Sequence, residues 1–137
     1  MALAFVRFAE RSRGTLLDVG CAYGVATIPA LQAGATVIGC DIAADHLDRL
    51  QKLTLESLCA RLQATSAAFP YDLDLDDQSL DGVHTSNVLH FLDGPEVEQA
   101  LRVVYRWLKP RGQVFVLVAS PYLSMGLASD SRDRFLR

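Results

Sequence analysis

Three stretches of this chain are apolar with little alternation: Thr15-Leu-Leu-Asp-Val19, Thr36-Val-Ile-Gly-Cys-Asp-Ile42 and Gln113 to Ala119. A strand with one wet face alternates apolar and polar residues, so runs like these read as strands buried on both faces. Segments of helical spacing lie between them. Ile42, Leu47, Leu50 and Leu53 form one stripe, and Val97, Ala100, Leu101, Val104, Tyr105 and Leu108 form another. Strand alternating with helix predicts a parallel sheet covered on both faces by helices and joined by right-handed crossovers.

The remaining punctuation completes the order. Ala2 to Arg11 is expected to be a short amphipathic helix broken at Arg13-Gly14. A helix is expected from about Gly24 to Ala33, closed by Gly34, with Pro29 either in its first turn or at a kink. The helix of the Ile42–Leu53 stripe starts at Ala43 and its pattern continues through Leu55, Leu58 and Leu62, so a third strand between Cys59 and Ala67 is hard to separate from it. Phe69 to Asp77 is a proline-led acidic loop, Leu80 to Ser86 a fourth strand, and Val88 to Leu92 prolongs the apolar run. A helix over Pro95–Leu108 ends at Lys109-Pro-Arg-Gly112, and the fifth strand follows. Ser120 to Arg137 is polar, with room for a short terminal helix.

At 137 residues the chain is one domain, long enough to bury a core. No apolar run approaches the roughly 18 residues of a membrane helix, and the first residues lack the basic lead of a signal peptide. Three cysteines (Cys21, Cys40, Cys59), none in a CxxC pair, argue against a disulfide framework or zinc site and for a reducing cytoplasm. Net charge is -3, so a strong nucleic-acid binder is not expected. The charge is uneven: residues 62–101 hold eight acids and no Lys or Arg, whereas residues 102–137 hold seven basic and two acidic side chains.

The sharpest local feature is Asp18-Val-Gly20-Cys-Ala22-Tyr-Gly24, between the first strand and the helix after it. Glycines there permit a tight turn and close approach of a ligand, and a helix N-terminus beyond suits an anionic group. The spacing is G-x-A-x-G, not the G-x-G-x-x-G of dinucleotide sites, and no G-K-[ST] marks a P-loop. Asp41 ends the second strand 21 residues after Gly20, where an acid can accept both hydroxyls of a ribose. Loop and acid together imply a nucleoside ligand. Each has a plainer reading, the loop as a tight turn and Asp41 as a helix cap.

Leu16 to Gly24 and Gly39-Cys-Asp-Ile42 resemble class I S-adenosylmethionine-dependent methyltransferases of the methyltransferase 11/12-like kind. Phe69-Pro, Ser79-Leu-Asp-Gly-Val83, Asn87-Val-Leu-His90 and Trp107 to Phe115 continue the resemblance, in order, over residues 15–120. It implies a doubly wound, Rossmann-like parallel sheet of strand order 3-2-1-4-5 and methyl transfer from S-adenosylmethionine to a small molecule. It implies that Gly20, Cys21, Ala22, Tyr23 and Gly24 wrap the methionyl part, with Asp18 orienting the loop and its bound amine. Asp41 would take the ribose and Ile42 the adenine, while Asn87, Val88 and Leu89 lie near the sulfonium. Thr65 or Ser66 stands where many members carry an acid toward the adenine amine. His90 is a candidate general base, or else a packed structural residue.

Two further functional readings stand beside this one. One is a nucleoside-binding module or truncated methyltransferase without turnover; the other is a nicotinamide oxidoreductase, which the glycine spacing disfavours. Asp72, Asp74, Asp76 and Asp77 depart from a calcium loop, since Asp77 replaces its glycine. After Ala119 only 18 residues remain, fewer than the helix and antiparallel pair that follow the fifth strand in the family. The expectation is a single domain lacking the usual last two strands, a truncation, or one whose fifth-strand edge is covered by an oligomer or partner.

Overall fold

A computed structural model describes residues 1–119 of the chain. The elements run α1 (Ala2–Ser12), β1 (Thr15–Val19), α2 (Thr27–Gln32), β2 (Thr36–Asp41), α3 (Ala44–Leu53), α4 (Glu56–Cys59), β3 (Leu62–Ser66), β4 (Leu80–Ser86), a 3-10 turn (Leu89–Phe91), α5 (Gly94–Trp107) and β5 (Leu108–Leu117). The strands form one sheet of order β3-β2-β1-β4-β5, every pairing parallel. The expected strand order is the one observed. The expected terminal helix lies outside the described residues.

Alternate residues of each strand serve opposite layers. Leu16 and Val37 pack with Phe5 and Ala9 of α1 and Ala30 and Leu31 of α2. Leu17, Val19, Ile38, Cys40 and Val83 face the other way, against Ala100, Val103, Val104 and Trp107 of α5 and against Phe69 and Leu73. Leu16, Leu17 and Trp107 are wholly buried, and burial of a Leu contributes about 1.5–3 kcal/mol. The two-faced apolar runs thus have their cause: β1 and β2 sit between two layers.

Several boundaries differ from the sequence reading. Residues 22–26 form turns, so α2 begins at Thr27 and is only six residues long; Pro29 then sits in its first turn, where a missing N–H is harmless. The α3 stripe does not run on to Leu62. Thr54 turns extended and its Oγ1 donates to the Leu50 carbonyl at 2.8 Å, ending the helix before α4. β5 begins at Leu108, five residues before Gln113. Lys109-Pro-Arg-Gly112 ends α5 as expected but is absorbed into the strand as an irregularity between the Leu80 and Gly82 pairings, with Arg111 at φ 70°.

The lower end of the sheet is tied by Asp81. Its Oδ2 accepts from the Thr15 N–H at 3.0 Å and from Lys109 Nζ at 2.8 Å, joining β1, β4 and β5. Arg106 likewise returns to the acidic loop, 3.0 Å from Asp77. Among the described residues no helix is long and apolar enough to cross a membrane.

Candidate functional site

A cavity of about 540 Å³ opens at the upper ends of the strands, a typical size for a small-molecule site. Val19 and Gly20 at the end of β1, Cys40 to Ala43 at the end of β2, Ala67 to Phe69 after β3 and Ser86 to Val88 at the end of β4 line it. His46 of α3, Tyr71, Phe91, Leu92 and Glu96 complete the wall. β1 lies between β2 and β4, so the cavity occupies the point where the strand order reverses.

The glycine loop is held from beneath. Gly20 and Cys21 donate their N–H groups to the Cys40 carbonyl at 2.8 and 3.0 Å, and Ala22 donates to Asp41 Oδ2 at 2.9 Å. These three amides are engaged with β2 and are not free for an anion. Gly20 has φ 68°, and a Cβ on it would stand 2.4 Å from Val88 Cγ2. Glycine is required there by conformation and by space. Ala22 holds φ 44°, a conformation that costs a non-glycine residue about 1–2 kcal/mol.

Asp41 is 9% exposed and borders the cavity. Its Oδ1 accepts from the Ala43 N–H at 2.9 Å. With Ala22 on the other oxygen, two of about four lone-pair positions are used and two remain for a ligand. The cap-like and ligand-facing readings of Asp41 are thus compatible in one carboxylate. His46 Nδ1 lies 3.3 Å from Asp41 Oδ1, off the line of a hydrogen bond. The Tyr23 ring meets His46 edge-on at 4.8 Å and lies under the Arg49 guanidinium at 5.2 Å.

Asp18 takes the opposite direction. It is 1% exposed, accepts from Thr27 Oγ1 at 2.6 Å and lies 2.7 Å from His84 Nδ1, on the α1 side of the sheet. Phe5 stacks on the His84 ring at 4.9 Å. Asp18 thus fastens the loop to α2 and β4 from below and does not line the cavity.

Of the residues singled out in the sequence, Gly20, Asp41, Ile42, Asn87 and Val88 line the cavity together. Cys21 is buried against Leu47 and Leu50, while Ala22, Tyr23 and Gly24 form the loop outside the lining. Thr65 and Ser66 lie in β3, and Ala67, Ala68 and Phe69 line the cavity in their stead. Leu89 packs on the core below, and His90, with its Nδ1 buried and unbonded, rests 4.3 Å from Phe91 without lining the cavity. Sequence reasoning missed His46, Tyr71, Phe91 and Glu96. It also missed His84, although a histidine inside an apolar strand needs a buried partner and Asp18 is the acid of the neighbouring strand.

The cysteines bordering the loop are chemically quiet. Burial raises the Cys40 thiol pKa to about 11, assisted by the Asp41 and Asp18 carboxylates, and burial with the same two acids raises Cys21 further.

Fold and cavity define a class first: an open, doubly wound sheet with its ligand crevice at the switch point. The methyltransferase-domain family matches residues 16–112. An uncharacterised methyltransferase of Synechocystis is 33% identical over 107 residues, covering 75% of this chain and 45% of its own length. The cypemycin N-terminal methyltransferase of a Streptomyces species is 32% identical over 121 residues, covering 87% and 47%. A crystal structure of an S-adenosylmethionine-dependent methyltransferase from Mesorhizobium loti superposes with a TM-score of 0.73 at 24% identity, covering 88% of this chain and 55% of that one. The chain belongs to the methyltransferase-domain family, and it spans about half the length of these relatives.

Proposed function

We propose that this chain binds S-adenosylmethionine in the switch-point cavity and passes its methyl group to a small-molecule acceptor. The observation that carries the reading is Asp41: an acid at the end of β2, bordering the cavity, with acceptor positions left after two backbone bonds. Family membership supports it. The donor set fits such a cofactor, since Asp41 suits a diol and Val19, Cys40, Phe69 and Val88 offer an apolar floor.

The cofactor, when bound, supplies an electrophilic methyl on a sulfonium. The protein's own work is to orient and to exclude water. Asp41 accepts the ribose hydroxyls, and Ile42, 76% exposed at the rim, covers the adenine. The Gly20–Gly24 loop borders the methionyl end, with Asp18 fixing it through Thr27. Ala67 to Phe69 replace Thr65 and Ser66 as the adenine-side surface. Asn87 and Val88 approach the reacting end, and His90 serves as base only if a ligand turns it toward the cavity. A reducing cytoplasm suits the three free thiols.

Isothermal titration of the 137-residue chain with S-adenosylhomocysteine tests the reading. Binding is expected, weakened about tenfold or more in Asp41→Ala as charged hydrogen bonds are lost. No binding at millimolar ligand, or equal binding by the variant, overturns it. Transfer of labelled methyl into an acceptor panel then separates turnover from binding alone.

A further inference from the structure

We propose that the acceptor end of this cavity takes a cationic amine, drawn by the carboxylates of Glu96 and Asp93 and the rings of Tyr71 and Phe91. The inference rests on the cofactor-binding reading above and names the substrate class of that site. Tyr71, Phe91 and Glu96 line the cavity from the segment after β3, the 3-10 turn and the start of α5. The two rings are 60% and 66% exposed, an unusual outlay of aromatic surface at the mouth of a pocket.

Among the described residues no Lys or Arg lines the cavity. Elsewhere around α5 the acids are matched: Asp77 by Arg106, Asp81 by Lys109 and Glu98 by Arg102. Glu96 and Asp93 have no cationic partner among the described residues. Their engagement is with the backbone alone. Asp93 Oδ1 accepts from the Glu96 N–H and Glu96 Oε2 from the Asp93 N–H, both at 2.9 Å, leaving one oxygen of each uncommitted. The Tyr71 phenol is raised in pKa by desolvation, then by Glu96 and Asp93; of the two carboxylates Glu96 lines the cavity with Tyr71, and Asp93 stands beside it through the helix cap. Unmatched carboxylates beside exposed aromatic faces attract an ammonium and repel a carboxylate or phosphate.

The chemistry closes. A bound ammonium first releases a proton to water at the open mouth. The freed nitrogen lone pair forms the N–C bond as the S–C bond breaks, and that pair leaves with sulfur as a thioether. The product is a methylated ammonium of unchanged charge.

Phenethylamine, phenethyl alcohol and phenylacetate share one scaffold and serve as probes. Their binding to the full 137-residue chain is measured by ligand-observed NMR, with and without saturating S-adenosylhomocysteine. The amine is expected to bind about tenfold more tightly than the alcohol, with phenylacetate weakest. Glu96→Gln and Asp93→Asn remove charge but keep helix-capping chemistry. Each is expected to cut the amine's advantage about threefold, and together they bring amine and alcohol to parity. Phenylacetate binding as well as the amine, or an unchanged preference in the double variant with native circular dichroism, overturns the proposal. Failure of S-adenosylhomocysteine to bind while the amine preference stands would count against the cofactor reading alone.

Discussion

The two walls of the cavity are built on different terms. The wall from β1 and β2 is closed: Gly20, Cys21 and Ala22 have given their amides to Cys40 and Asp41, and Asp18 is locked between Thr27 and His84. The wall from Tyr71, Phe91 and Glu96 is open, with exposed rings and carboxylates matched, among the described residues, only by backbone. The first resembles a jig, in which a small displacement is costly; the second is a surface that tolerates change. A shared ligand chemistry at one end and a varied one at the other would produce this division.

The contrast can be broken most forcefully at Asp18. Asp18→Ala strands a buried hydroxyl and a buried imidazole, so a loss of about 3–5 kcal/mol is expected by urea unfolding. A loss below 1 kcal/mol would mean that the lower wall is not held as described. Gly20→Ala comes next, at about 2 kcal/mol, because φ 68° and the 2.4 Å approach of Val88 both oppose a methyl group. Thermal unfolding checks it.

Ala22→Gly should act in the opposite direction. Relief of the φ 44° conformation is expected to stabilise by about 1 kcal/mol, and a destabilised variant would refute the strain argument. The thiols sharpen the comparison by pH. Cys40 ionises near 11 when folded against 9.0 ordinarily, so the unfolded chain releases its proton first. That contribution is intact below pH 9 and declines as pH rises toward 11. A melting temperature that falls over this interval, less steeply in Cys40→Ala, is the expected record. Smallest of all, Phe91→Ala should move stability by less than about 0.5 kcal/mol yet weaken phenethylamine binding. Loss of the fold on that substitution would show that the open wall is structural.

The closed wall was legible in the sequence because its causes are local. Two-faced burial writes β1 and β2 as unbroken apolar runs, and the spacing from Gly20 to Asp41 marks the crevice. β3 was obscure for the complementary reason: it is an edge strand of mixed burial, so no apolar run announces it beside α3. α2 was drawn too long because nothing in Gly24-Val-Ala distinguishes a turn from a first helical turn. The open wall left little trace. Tyr71, Phe91 and Glu96 converge from separate segments, and exposed residues carry no periodicity. His84 and Asp18 were each visible, but their pairing depends on β4 lying beside β1, which spacing alone does not reveal.

That pairing has a consequence for the order in which the molecule acquires function. Asp18 and His84 are 66 residues apart in sequence, and the Ser86 to Val88 floor arrives only with β4. A growing chain can therefore display the glycine loop and Asp41 long before it owns a pocket. Ligand affinity appears as a late property of the assembled sheet, and a ligand that recognises only this state draws the folding equilibrium toward it by mass action. For such a protein the supply of its small molecule and the survival of newly made chains become linked quantities.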